Sequence, residues 1–274
     1  MASYDIRTLQ LHILDILLAI DKVCRTHQLR YYLVAGTMLG AVRHKGFIPW
    51  DDDIDIAMPR SDYDTFMAHS KEWLPSPYEA LCAEQQPTFP SDFAKVVDSS
   101  TTLIEREHHS YLGGIYVDVF PLDNITSHQL LQRIHFFRYA ILKKLIYMLC
   151  RNPYKHGHGP SSWLPLLCRQ CFSLPIVVRR LLRLQQIYNN QPCSFVVDHD
   201  FGQRGVMPFS IYGIPQDIEF EGHQLMGVEQ PHQYLTAIYG DYMTIPSGSQ
   251  QKQHNFFYLD YNLPYRQYHD MRQF

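Results

Sequence analysis

Asp51, Asp52, Asp53 and Asp55 crowd into five residues of the string WDDDIDIAMPR, which runs from Trp50 to Arg60. Asp53 and Asp55 alternate with Ile54 and Ile56, the period-two pattern of a half-buried strand. Alternate side chains on a strand point the same way, so both carboxylates share one face while the isoleucines anchor the other. Side-by-side carboxylates on a stiff element repel each other unless a cation lies between them. One or two carboxylate ligands, with room left for water and phosphate oxygens, suit Mg2+ (or Mn2+). The residues therefore point to a metal-dependent enzyme of phosphate chemistry. A polar strand edge without a ligand is the other reading of the same pair. Asp51 and Asp52 read either as solvated loop or as support for that pair.

A third carboxylate, Asp118, lies in the run IYVDVF between Val117 and Val119, so it points away from its apolar neighbours and toward the face bearing the other two. A charge there is costly unless paired or metal-bound, and a buried arginine partner is the competing explanation. Upstream, Gly36-Thr37 interrupts an apolar strand just before a helical pattern. Glycine admits close backbone approach, threonine supplies a hydroxyl, and a helix N-terminus offers free N–H groups to an anion. Arg43 and Lys95 are cations that could clamp phosphate oxygens, or serve as ordinary charges.

These groups need a scaffold. Ile6, Leu9, Ile13, Leu17 and Ile20 recur at helical spacing, which predicts an amphipathic helix over 5–27. A short strand is expected over 31–35, a helix opening at the Gly-Thr break and covering 38–42, and loop over 43–50. The Asp-rich strand over 54–58 is stopped by Pro59, and Ser61 or Asp62 caps a helix to 72. Segments 93–97 and 101–105 read as a hairpin, and 115–120 as a further strand closed by Pro121. A hairpin over 218–228 and a helix over 231–239, ended by Gly240, complete the pattern.

Apolar content of 46% and charge of 19% over 274 residues describe a folded protein with a sizeable core. The apolar stretch 13–20 is interrupted by Asp15 and closed by Asp21, so no secretory signal is expected, and no run approaches the ~18 apolar residues of a membrane span. Six scattered cysteines suggest reduced thiols and a cytoplasmic protein, with the inner membrane face as a peripheral site. Between 124 and 197 there are ten Lys and Arg and no Asp or Glu; with −3 for the whole chain, the remainder carries −13. Such a block suits an anionic membrane or a phosphate-bearing acceptor. Within it, Trp163, Leu164, Leu166 and Leu167 beside Arg169 read as an interfacial helix or as a packed one. Cys168 and Cys171, with Cys150, His156 and His158 upstream, raise a structural zinc, although buried core thiols at helical spacing explain them without metal.

The order strand, Gly-Thr, helix, paired aspartates and a later Asp-bearing strand is the signature of the nucleotidyltransferase fold. The strings YYLVAGTMLGAVRHKGFIPWDDDIDIAMPRSDYD, IYVDVFPLD around Asp118, and YLTAIYGDYMTIP followed by His254 closely resemble the LicD family. Its members transfer phosphocholine, and their distant relatives, the fukutins, transfer ribitol phosphate. The resemblance covers about 31–123 and, more loosely, 219–254. It implies an α+β, polymerase-β-like fold, a mixed sheet flanked by helices. The catalytic core would span 1–123, a basic helical insertion 124–195, and the C-terminal part of the core 196–274. Asp53 and Asp55 would be metal ligands, Asp118 the third acidic residue, and Gly36 and Thr37 part of a phosphate loop. The wider pattern often has Gly-Ser or Gly-Gly there; threonine keeps the hydroxyl.

The implied reaction is attack by a hydroxyl of a glycan, or lipid-linked glycan, on a CDP-activated donor, releasing CMP. Asp118 would bind a second metal or take the hydroxyl proton. Nucleic acid is not an expected partner. Transfer of NMP and a metal-dependent glycosyltransferase using the Asp-x-Asp pair remain open, as does a non-catalytic anion-binding scaffold. The released product separates the enzymes: CMP, pyrophosphate, or a nucleoside diphosphate.

Overall fold

The computed structural model describes residues 4–108, 111–248, 251, 253–254 and 256–269. Helix α1 (Ile6–Thr26) opens at Asp5, whose carboxylate accepts the Thr8 N–H at 2.7 Å. The stripe expected from spacing is the face it buries, with Leu9, Ile13, Leu17 and Ile20 in the core. Then follow β1 (Tyr32–Leu33), α2 (Ala35–His44), β2 (Asp55–Pro59), α3 (Arg60–Trp73), β3 (Tyr78–Leu81), β4 (Ala94–Asp98), β5 (Thr102–Ile104) and β6 (Tyr116–Ile125). Three helices, α4 (Gln129–Cys150), α5 (Pro160–Cys171) and α6 (Leu174–Gln185), precede β7 (Phe195–Val197). The chain closes with β8 (Val206–Pro208), the short α7 (Phe209–Tyr212), the hairpin β9 (Gln216–Phe220) and β10 (His223–Gly227), α8 (Pro231–Tyr239) and β11 (Tyr258–Asp260). Among the described residues no helix is long and apolar enough to cross a membrane.

The main sheet is mixed, in the order β1-β2-β6-β4-β3, with β7 added to β6 and β8 to β7. Its axis is β6, parallel to β2 and antiparallel to β4 and β7. The basic helices α4 to α6 leave the sheet after β6 and the chain returns as β7 against the same strand.

Helix α3 starts at Arg60 with Pro59 at its N-cap, so neither Ser61 nor Asp62 caps it, and three further sequence expectations are corrected. The pieces read as a hairpin over 93–105 do not pair with each other: β4 lies between β6 and β3, and β5 pairs with β11 near the C-terminus. Alternation marks a strand but not its partner, and the turn at 98–101 is turned away by Thr101, whose hydroxyl accepts the Ile115 N–H at 2.9 Å. Pro121 does not close β6. The Asp118 N–H points to β2, bonding Ile54 O at 3.0 Å, so the nitrogen of residue 121 points the other way. On that side β4 pairing ends at Val119 and β7 pairing starts at Asp123, so a missing N–H costs no ladder bond. Lastly, α2 starts at Ala35, so Gly36-Thr37 lie inside its first turn rather than before it.

One buried ion pair ties α3 to the sheet. Arg60 donates from Nε and Nη2 to the two oxygens of the fully buried Asp123, each at 2.7 Å, and Asn189 Nδ2 adds a bond of 2.6 Å. Asp123→Ala strips a buried guanidinium of its bidentate partner, leaving only Asp64 at 3.5 Å and Glu84 at 3.7 Å, and should cost about 3 kcal/mol. The measurement is the urea unfolding midpoint; an unchanged midpoint contradicts this account of the junction.

Candidate active site

The strand registers put three charged residues in one row. Asp55 on β2 is directly opposite Asp118 on β6, and Asp118 is opposite Lys95 on β4. Opposed residues share a sheet face, so two carboxylates and an ammonium stand side by side across three strands. Lys95 is buried, donating to Asp118 Oδ1 at 2.7 Å and Glu105 Oε1 at 3.0 Å, with its ammonium 3.3 Å from the centroid of the Tyr116 ring. Its charge is thus neutralised inside the protein, and Lys95 holds Asp118 rather than standing free as a clamp. The competing expectation of an arginine partner for Asp118 is met by a lysine.

The first turn of α2 presses the aspartate loop onto this row. Ala35 takes φ +51°, a left-handed conformation unusual for a side chain, and its N–H donates to the Tyr234 hydroxyl of α8 at 2.9 Å. A Cβ at Gly36 would lie 2.7 Å from Asp51 Oδ2, so glycine is what lets the loop approach. The buried Thr37 hydroxyl accepts the Asp55 N–H at 2.9 Å, which fixes the start of β2. The Asp51 and Asp53 carboxyls lie close enough to perturb each other's ionisation.

Electrostatics follow from this crowding. Burial, then Asp53 and Asp52, push the Asp51 carboxyl up to about 8. Burial raises Asp53 as well, and raises Asp55 well above the ordinary carboxylate range with Asp53, Asp118 and Asp51 adding to it. Asp118 is brought to about 7 by burial, against the pull of Lys95. Tyr239, at the end of α8, is pushed up by burial and then by Asp55, Asp51 and Asp53, which sets its phenol beside the same carboxylates.

Asp52 faces a different set of partners. It accepts from the Tyr4 hydroxyl at 2.6 Å and from His254, Nδ1 at 2.6 Å and backbone N–H at 3.0 Å. His254 Nε2 then stands 3.7 Å from Asp53 Oδ2. Asp52, Asp53 and His254 are the one trio among the described residues with metal-ligand atoms all within 4.8 Å of one another. Asp55 and Asp118 lie outside that tight set. The Asp52–His254 ion pair tethers the C-terminal segment to the aspartate loop.

A cleft of about 460 Å³ opens over the row, lined among others by Asp53, Asp118, Lys95, Glu105, His254 and the aromatic rings of Phe89 and Tyr111. Lys143 of α4 and Asp200 also line it, so the basic helices contribute a wall. Asp55, Gly36, Thr37 and Arg43 are not lining residues. Arg43 instead donates to Tyr242 O at 3.0 Å. Sequence reasoning missed Glu105, Lys143 and Asp200; none sits in a pattern that marks it. Cys168 is buried and Cys171 exposed, and neither joins a metal-ligand cluster among the described residues.

Residues 28–145 match the family model described as LicD/FKTN/FKRP, nucleotidyltransferase domain. Those residues thus carry a LicD-family domain. It is 29% identical over 271 residues to the lipopolysaccharide cholinephosphotransferase LicD of Haemophilus influenzae, covering 93% of this chain and 97% of that protein. It is also 36% identical over 102 residues to the uncharacterized protein RP689 of Rickettsia prowazekii, covering 37% of this chain and 35% of that one. The sequence-predicted site residues Gly36, Thr37, Arg43, Asp53, Asp55, Lys95 and Asp118 all fall inside the matched segment.

The tether makes a pH prediction. The hydrogen bond from Asp52 raises the His254 imidazole to about 9 from its ordinary 6.5. A raised histidine contributes stability in full below its unfolded value and loses it as pH climbs through the folded one. The tether should therefore be intact through neutral pH and loosen near pH 9. In an NMR titration Asp52→Asn should bring the His254 midpoint back toward 6.5; a midpoint near 6.5 in the unmodified chain contradicts the tether.

Proposed function

We propose that the chain is a metal-dependent transferase moving phosphocholine from a CDP-activated donor to a hydroxyl of a cell-surface glycan, with release of CMP. The observation that carries the reading is the crowding of Asp51, Asp53, Asp55 and Asp118, all raised by burial, with neighbouring carboxylates adding to it. A set of hard oxygens that repel one another fits Mg2+ or Mn2+, which relieves the repulsion. The substrate class is supported by likeness to a protein whose name specifies cholinephosphate transfer to lipopolysaccharide. A polymerase-β-like nucleotidyltransferase fold belongs to the same reading, supported by the matched family model.

Asp53 and Asp55 would hold the ion, with Asp118 beside them. Bound there, the ion neutralises charge on the donor diphosphate and the departing nucleotide. Asp118, poised near 7 and oriented by Lys95, is suited to take the proton of the acceptor hydroxyl. Gly36 and Thr37 shape the site by seating Asp51 and Asp55. The edge-to-face rings of Phe89 and Tyr111 line the cleft, and aromatic lining suits a quaternary ammonium. That favours phosphocholine over a polyol phosphate.

The test is product release from a panel of CDP-choline, CDP-ribitol and CDP-glycerol with Mg2+ and a glycan acceptor. CMP should appear with CDP-choline, and Asp53→Asn or Asp55→Asn should lower turnover on the order of a hundredfold or more while the circular dichroism spectrum is unchanged. Pyrophosphate released from CTP would instead mark NMP transfer, and a nucleoside diphosphate would mark sugar transfer. Undiminished rates in both variants would overturn the reading.

A further inference from the structure

The helices between β6 and β7 present a surface that the proposed chemistry does not use. Along α4, Leu130, Ile134, Phe137 and Ile141 recur at spacings of four, three and four and are 60%, 46%, 67% and 51% exposed. At 100° per residue these four side chains fall within about 60° of arc, so they form one outward stripe. Arg133 and Arg138 are exposed on its two flanks. Beside the stripe, α4 and α6 enclose a groove of about 480 Å³. Its walls are apolar, Ile141 and Leu142 against Leu184 and Ile187, and its rim carries Arg138, Arg180 and Arg183. None of these three arginines meets a carboxylate in an ion pair among the described residues, whereas Lys143 of the same segment is paired with Asp92.

An exposed apolar stripe edged by unpaired cations has two needs that water meets badly: ring and aliphatic surface to cover, and positive charge to neutralise. We propose that the outward stripe of α4, with the arginine-rimmed groove it shares with α6, docks an anionic lipid bilayer. Headgroup phosphates meet Arg138, Arg180 and Arg183, while Leu130, Ile134, Phe137 and Ile141 enter the boundary between headgroups and acyl chains. A second copy of the chain fits this face poorly, because a symmetric contact would set two arginine rims against each other. The helix lies on the membrane and does not span it, in keeping with the absence of any spanning helix among the described residues. The inference stands apart from the catalytic reading, since no stripe residue lines the active-site cleft. It gives the basic block a location: a bilayer against α4, with Lys143 of the same helix reaching the cleft.

The experiment is co-sedimentation of the full chain with vesicles of phosphatidylcholine alone and of phosphatidylcholine with 30% phosphatidylglycerol, as about a third of anionic lipid gives a strong surface field. Binding should require phosphatidylglycerol and weaken as salt rises from about 0.05 to 0.5 M. Arg138→Glu, Arg180→Glu and Arg183→Glu together should weaken it about a hundredfold or more. Phe137→Ser with Ile141→Ser should weaken it severalfold without changing its salt dependence. Asp53→Asn should bind as the unmodified chain does, which separates failure here from failure of the transferase reading. Binding indifferent to phosphatidylglycerol and salt overturns the proposal, and these measurements on the unmodified chain need no variant to fold. So does a concentration-dependent dimer that the Phe137 and Ile141 substitutions abolish, in the absence of vesicle binding.

Discussion

Like charge concentrated on one sheet face is the constraint that organises this protein. Two carboxylates on neighbouring strands, about 5 Å apart, repel by about 3 kcal/mol at an effective dielectric of about 20. Asp55 and Asp118 are such a pair by register, and Asp51 and Asp53 are brought against them by the loop before β2. The chain offsets part of this with two internal cations. Lys95 bonds Asp118 from the next strand, and the His254 imidazole reaches Asp52 and Asp53 from the far end of the sequence. Neither contacts Asp55, whose carboxyl is held well above its ordinary range by burial and by its acidic neighbours. A protein that keeps such an arrangement stores repulsion at the place where a cation would relieve it.

The rest of the fold serves to hold that repulsion in position. The parallel pairing of β2 with β6 fixes the spacing of Asp55 and Asp118, and the Arg60–Asp123 pair locks α3 over the same two strands farther along. The left-handed Ala35, the bare Cα of Gly36 and the Thr37 hydroxyl act together at the head of α2. The first turns the chain, the second admits Asp51, and the third holds the Asp55 N–H. Glycine and threonine here position carboxylates, a different use from cradling an anion directly, although both depend on the same small residue at the same turn.

Much of this was legible in the sequence where the signal is local. The Ile and Leu spacing of α1, the Pro231 start and Gly240 stop of α8, and the alternation around Asp55 and Asp118 all report through neighbours a few residues away. What stayed hidden depends on distant partners. Segments β4 and β5 look like a hairpin because alternation says nothing of which strand fills the next edge. For Lys95 the sequence leaves clamp and ordinary charge both open, because its charge balance rests on Asp118, 23 residues away, and on Glu105. The contact between Asp52 and His254 spans 202 residues, and only the motif around the histidine hinted at it. Pro121 misled for a related reason: whether a proline ends a strand depends on whether that edge has a partner there.

Two surfaces of opposite character thus occupy one chain, an acidic row within the sheet and a basic, apolar face on the helices that interrupt it. The account stands on the first. Its most direct test is a titration of the protein with Mn2+ followed by electron paramagnetic resonance, which reads free and bound ion separately. The unmodified chain should deplete the free Mn2+ signal, Mg2+ should restore it in competition, and Asp55→Asn should lose most of the binding. A free-ion signal unchanged by the folded, unmodified protein would contradict the claim that these carboxylates are gathered to hold a divalent cation.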